Sequence, residues 1–295
     1  MDYLTNNDII RSYCSKVTQT LITLMGNSNH EFKYIVLKNI NIIIQKRPLI
    51  LNREIKIFFC SHNDPHYLKN EKLEILLRLA DDETIDPIIL ELKEYVTEID
   101  IDFVRKCIRT FGRLAIKLES SSDICVQALF DCLKTKVGFV IQETTIVMRD
   151  IFRRYPSKYE SILVELFKNI ANIDEPEAKS AIIWIIGAYI EIIPTANKLM
   201  EGYLDGFKED TTDVQIQIMT SCIKLYVVRP AEGGPLVKKL FQIIETIDNP
   251  DIRDRGYFYW RMLNKSAAIA SAIVSAHKPP ISDMSYNFES SLLEK

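Results

Sequence analysis

Cys60, His62 and His66 stand as Cys-x-His-x3-His, a spacing at which one thiolate and two imidazoles can share a zinc ion. A fourth ligand is missing nearby, and Asp64-Pro65 between the two histidines has the form of a joint between helices. No metal site is therefore expected. Cys125 and Cys132 lie in an apolar helical pattern and are expected in a core, where a free cysteine packs as a small hydrophobe. The six cysteines contain no Cys-x-x-Cys pair, so a disulfide framework is not expected and a reducing, cytoplasmic setting fits. Gly202-x-x-x-Gly206 follows no strand and is not a dinucleotide loop. Gly233-Gly234-Pro235 reads as a turn. Nucleophile elbows, zinc-protease pairs and phosphate loops are missing, and the four histidines form no constellation. The expectation is no enzyme and no cofactor.

Two basic runs invite binding of anions: Lys46, Arg47, Arg53 and Lys56, then Arg149, Arg153, Arg154 and Lys158. They can attract anionic lipid head groups or an acidic partner. The simpler reading, which is preferred, is a solvated face near helix C-termini, where the dipole favours cations. The run Tyr257, Phe258, Tyr259, Trp260 reads as core with a polar-tipped edge, with a docking surface as the alternative. Lys plus Arg number 37 against 40 Asp plus Glu, for a net charge of −3. No nucleic-acid partner is expected from such a balance. The apolar uncharged stretches 180–190 and 266–276 are 11 residues each, well short of the ~18–20 needed to span a bilayer. Membrane contact is expected to be peripheral.

The elements that carry these residues repeat. An apolar or small residue followed by a long polar one recurs at Phe32-Lys33, Leu68-Lys69, Val104-Arg105, Ile141-Gln142, Ala178-Lys179, Val214-Gln215 and Ile252-Arg253. The spacings are 36, 36, 37, 37, 36 and 38 residues. Pro48, Pro156, Pro194 and Pro230 follow four of the seven dyads at 14 or 15 residues. Val104, Cys107, Ile108, Phe111, Leu114, Ala115 and Leu118 form one helical stripe, with Arg105, Arg109, Arg113 and Lys117 off it. Shorter amphipathic helices are predicted over 50–60, 87–96, 124–133, 159–170, 196–207 and 236–244. Asn63-Asp64-Pro65, Asp174-Glu175-Pro176 and Asp248-Asn249-Pro250 have the form of a cap and a helix start. Only nine glycines and no alternating strand pattern complete an all-α reading. The fold expected is an α-solenoid, a HEAT/armadillo-like superhelix of about seven helix pairs. It covers 1–276 as one stack, with an irregular tail or the start of a hinge over 277–295. The polar dyad member invites a ladder of bonds between repeats, including Arg105 and Arg253. On that reading Arg253→Ala melts earlier than Arg113→Ala.

Several segments then resemble the trunk of β-adaptin, the large β subunit of heterotetrameric clathrin adaptor complexes. They include Leu37-Lys38-Asn39-Ile40-Asn41, Gln45-Lys46-Arg47-Pro48, Glu91-Leu92-Lys93-Glu94-Tyr95 and Asp102-Phe103-Val104-Arg105-Lys106. Arg153-Arg154-Tyr155-Pro156-Ser157-Lys158-Tyr159 and Asp248-Asn249-Pro250-Asp251-Ile252-Arg253-Asp254-Arg255-Gly256-Tyr257 continue the series. The resemblance runs from about residue 20 to 285 and is matched to the C-terminal half of the trunk, without its N-terminal half, hinge or appendage. It implies a scaffold subunit in vesicle-mediated transport. The implied partners are medium and small adaptor subunits and a second large adaptin, with clathrin reached only through regions outside this chain. It implies a place on coated vesicles, Golgi or endosome, or plasma membrane. The partner surface is expected to use Lys69, Lys72, Arg105, Arg109 and Arg149. A coatomer-like or karyopherin-like transport scaffold is the alternative.

Overall fold

The computed structural model describes residues 7–26, 29–46, 51–276, 279 and 281. Among these residues there are fourteen α-helices and no strand. They fall into two compact units, one reaching Lys134 and one spanning Thr135–Ile281. The first holds α1 (Asn7–Met25), α2 (His30–Lys46), a 3-10 stretch over Asn52–Phe58, α3 (His66–Leu79), α4 (Ile85–Tyr95), α5 (Ile101–Lys117) and α6 (Ser122–Lys134). The second holds α7 (Gly138–Arg154), α8 (Leu163–Lys168), α9 (Pro176–Ala188), α10 (Ala196–Asp205), α11 (Thr212–Val228), α12 (Pro230–Ile244), α13 (Pro250–Lys265) and α14 (Ala267–Val274). Apart from Pro279 and Ile281, the expected tail over 277–295 lies outside the described residues, as does Pro48.

All seven dyads stand in the opening turns of a helix: α2, α3, α5, α7, α9, α11 and α13. From Leu68 onward the apolar member is fully buried, at Leu68, Val104, Ile141, Ala178, Val214 and Ile252. These are the inner helices. In the first unit α3 packs on α2 and on α5. In the second α7 packs on α9, α9 on α11 and α11 on α13. The other helices flank them: α4 and α6 lie on α5, and α10 and α12 on α11. On α5 the stripe Val104, Cys107, Ile108, Phe111, Leu114 and Ala115 is wholly buried. Each large aliphatic or aromatic side chain so buried contributes about 1.5–3 kcal/mol. The inner helices come close enough that some positions admit only hydrogen on Cα. A Cβ at Gly187 of α9 would lie 2.5 Å from the Ser221 Oγ of α11.

Helix punctuation follows the prolines. Pro176 and Pro250 open α9 and α13, positions where a missing N–H costs nothing. The Asn249 side chain accepts the Asp251 N–H at 3.0 Å. Asp64 does not cap α3, against expectation. Its carboxylate accepts the Ser61 N–H at 2.9 Å and the Lys72 ammonium at 2.6 Å. Pro156, Pro194 and Pro230 follow the ends of α7, α9 and α11.

Three flanking elements differ from the sequence reading. The segment expected as a helix over 50–60 is 3-10, and Glu54 departs from helical geometry. The segment 159–170 breaks into 3-10 turns on either side of α8. Gly233-Gly234-Pro235 is not a turn, because α12 runs through it from Pro230. The reason is packing: a Cβ at Gly233 would sit 2.5 Å from the Tyr226 Cα. The glycine lets the first turns of α12 lie directly on the backbone of α11. This close packing outweighs the one helical bond that Pro235 removes.

Candidate partner-binding surface

The five cations expected to meet a partner occupy different situations. Lys69 and Lys72 are buried on α3. The Lys69 Nζ donates to Glu98 Oε2 at 2.5 Å and lies 4.8 Å from the centroid of the Phe103 ring. The Lys72 Nζ donates to Asp64 and, at 3.0 Å, to the Phe59 carbonyl. Burial alone raises the Asp64 carboxyl, but Lys72, the Ser61 N–H and the nearby Lys33 outweigh it and hold the group below its ordinary range. Arg105 is half-buried and Arg109 exposed on α5. Arg149 is half-buried on α7 in the second unit, with its Nε 3.0 Å from Asp150. The structure thus brings Lys69 and Lys72 together, and separately Arg105 and Arg109.

The polar dyad member does form a ladder at three positions. Lys69 reaches Glu98 in the turn before α5. Gln142 Nε2 donates to the Asn172 carbonyl, before α9, at 3.1 Å. The Lys179 Nζ donates to Asp210, before α11, at 3.1 Å. The reaches are 29, 30 and 31 residues. Each bond ties the first turn of one inner helix to the turn that opens the next. Arg253 departs from the expectation, since it is exposed and makes no such bond. After α13 comes α14 across Ser266, with no later inner helix among the described residues to offer the acceptor. Arg113, placed off the stripe, instead donates to Glu74 of α3 at 3.0 Å.

A second set of cross-ties was not foreseen. The Lys117 Nζ, at the end of α5, donates to the Leu77, Arg78 and Ala80 carbonyls at 2.9 Å each. The Arg229 Nη2, after α11, donates to the Ile190 carbonyl at 2.7 Å. These carbonyls lie at or past the end of the preceding inner helix, where cations are favoured. The signal in the sequence was a basic residue closing an inner helix.

The remaining chemistry dissolves into structure. The Cys60 Sγ donates to the Lys69 carbonyl at 3.7 Å, and His66 Nδ1 lies 2.9 Å from Asp100. No group of three or more His, Cys, Asp or Glu among the described residues is arranged to hold a metal. Cys107, Cys125, Cys132 and Cys222 are buried. Burial pushes the Cys125 and Cys222 thiols up to about 12 and Cys132 up to about 11. In the basic run of the second unit, the Lys158 Nζ lies 5.5 Å from the Tyr155 ring centroid and 5.1 Å from that of Tyr159. Arg47 lies outside the described residues. The aromatic run is not core: Tyr257, Phe258 and Trp260 are 49%, 55% and 51% exposed, and only Tyr259 is buried.

Stacked helix pairs cross-tied through polar side chains make this a helical-repeat scaffold. The family model described as the adaptin N terminal region matches residues 2–267, and the chain belongs to that family. It is 46% identical over 296 residues to the AP-1 complex subunit beta of Dictyostelium discoideum, covering 100% of this chain and 31% of that protein. It is 46% identical over 289 residues to AP-1 complex subunit beta-1 of Homo sapiens, covering 98% and 30%. The AP-2 complex subunit beta of Schizosaccharomyces pombe is 37% identical over 281 residues, 95% of this chain and 42% of that one. The chain therefore spans less than half the length of these relatives. A chain from a homology model of the full-length AP-3 complex, in an intermediate open conformation, shares the fold. Its TM-score is 0.67 at 17% identity, over 90% of this chain and 48% of that one. What the family match names is the N-terminal region, where the sequence reading expected the C-terminal half of the trunk. Each helix pair repeats the spacing of the next, so the period carries no position along an array.

Proposed function

We propose that the chain is a non-enzymatic scaffold subunit of a clathrin-associated adaptor complex acting in vesicle-mediated intracellular protein transport. The observation that carries this reading is 46% identity over the whole chain to an AP-1 complex subunit beta. Its partners are a medium and a small adaptor subunit and a second large adaptin. Clathrin is engaged through other regions. The complex sits on the cytoplasmic side of coated vesicles, Golgi or endosome, or plasma membrane, as a peripheral component. No helix among the described residues is long and apolar enough to cross a membrane.

Within that role the five cations divide by situation. Arg109 is exposed on α5, with the half-buried Arg105 on the same helix. Both meet an acidic partner surface, and Arg149 on α7 meets a partner from the second unit on its own. Lys69 and Lys72 serve the same surface indirectly, by fixing α3 against the turns that carry Glu98 and Asp64. The test is capture of a purified medium subunit by the full chain and by Arg109→Glu. Capture should fall at least about tenfold for the variant, with its melting temperature unchanged. Equal capture would remove Arg109 from the surface.

A further inference from the structure

The basic run that closes α7 ends in an exposed turn, Pro156-Ser157-Lys158. The turn belongs to the second unit and lies far from both ends of the described residues. Ser157 has φ 66°, in the left-handed region that a serine enters at a cost of about 1–2 kcal/mol. Its N–H donates to the Tyr189 hydroxyl. The next N–H, of Lys158, reaches the Tyr155 carbonyl at 3.4 Å. A turn so lightly bonded opens locally at low cost.

The charges beside Ser157 favour an added anion. The Arg154 guanidinium lies 5.7 Å and the Lys158 ammonium 5.5 Å from the centroid of the same Tyr155 ring. Among the described residues Arg153 and Arg154 form no ion pair, and the Arg154 Nε is buried without a hydrogen-bond partner. Other cations of this unit are matched by acids, Arg149 by Asp150 and Lys179 by Asp210. The acid of the turn is Glu160, near Tyr189. Arg153, Arg154 and Lys158 against Glu160 leave a local charge of about +2, which the roughly −2 of a phosphoserine would balance. The sequence singles out the same residue. Ser157 stands three residues after Arg154 and four after Arg153, and no other serine or threonine in the chain stands three residues after an arginine. Protein kinases with an acidic substrate groove select acceptors by such a charge pattern.

We propose that Ser157 is a phosphorylation site for an arginine-directed serine/threonine protein kinase, and that Arg154 and Lys158 hold the phosphate once it is added. The Ser157 Oγ attacks the γ-phosphorus of ATP and gives its proton to the catalytic carboxylate of the kinase. The bond from that phosphorus to the bridging oxygen breaks, and ADP leaves. The turn thereby switches from cationic to nearly neutral.

Incubation of the folded full chain with Mg-ATP and the catalytic subunit of the cyclic-AMP-dependent kinase tests the site. Peptide mapping by mass spectrometry should place one phosphate on Ser157, and Ser157→Ala should lose it. Arg154→Gln should slow its addition at least about tenfold, with thermal melting checking that each variant is folded. Phosphorus NMR of the phosphorylated chain, titrated with pH, tests the capture. Nearby cations favour the dianion, so its midpoint should lie at least about half a unit lower in the folded chain than in urea. Folded chain that takes up no phosphate at Ser157 overturns the proposal. So does an Arg154→Gln variant modified as fast as the wild type, or equal midpoints in the folded and unfolded chain.

Discussion

A lysine buried beside a carboxylate is held by its partner, and Lys72 binds both Asp64 and the Phe59 carbonyl. Replacing it by methionine keeps the volume but leaves the Asp64 charge buried and unpaired, which costs about 3–5 kcal/mol. Thermal or denaturant unfolding should show that loss for Lys72→Met. The same pair sets a response to acid. The folded-state pKa of Asp64 lies below its ordinary value, so its contribution is present above about pH 4. It is lost as pH falls through the lower folded value. Unfolding followed from pH 7 to pH 2 should show wild-type stability falling in the acid range, with a shallower fall in Asp64→Asn. The cysteines give a complementary readout. Cys107, Cys125, Cys132 and Cys222 are buried and their thiols are held protonated. Alkylation read residue by residue should leave these four unmodified in the native chain at pH 8 and modify them in denaturant.

Between elements, the inner helices meet through small residues and cross-ties, and each makes a separate prediction. Gly187→Ala drives a methyl into Ser221 of the neighbouring helix and should cost about 1–3 kcal/mol. Arg113→Ala loses a bond to Glu74 of α3, while Arg253 is exposed. The order of melting is therefore the reverse of the one expected from sequence, with Arg113→Ala the less stable variant. That reversal shows what was legible beforehand. The inner helices, their buried dyad residues and the α5 stripe follow from a 3.6-residue period, because burial on one face leaves that period in the composition. The ladder could be guessed from a repeated long polar residue. Its acceptors could not, since Glu98, Asn172 and Asp210 lie in turns that share no motif. The run through Gly233-Gly234-Pro235 was hidden for a related reason. Its helical state depends on packing against Tyr226, which local propensity does not contain. The candidate surface was read least well. A cation spaced for exposure and one buried against a carboxylate look the same in a sequence. Lys69 on α3 and Arg109 on α5 meet opposite fates, the first buried and the second exposed.

At the scale of the molecule, each unit is an array of helix pairs in which neighbours touch neighbours, and such arrays present long side-chain surfaces instead of a single pocket. Membership of the adaptin family is what leads from that geometry to the proposal that the chain works by holding other subunits. Affinity capture of the tagged full chain from extract of its own cells, followed by mass spectrometry, tests this most directly. The account predicts recovery of a medium and a small adaptor subunit together with a second large adaptin. Folded chain that recovers none of the three would contradict it.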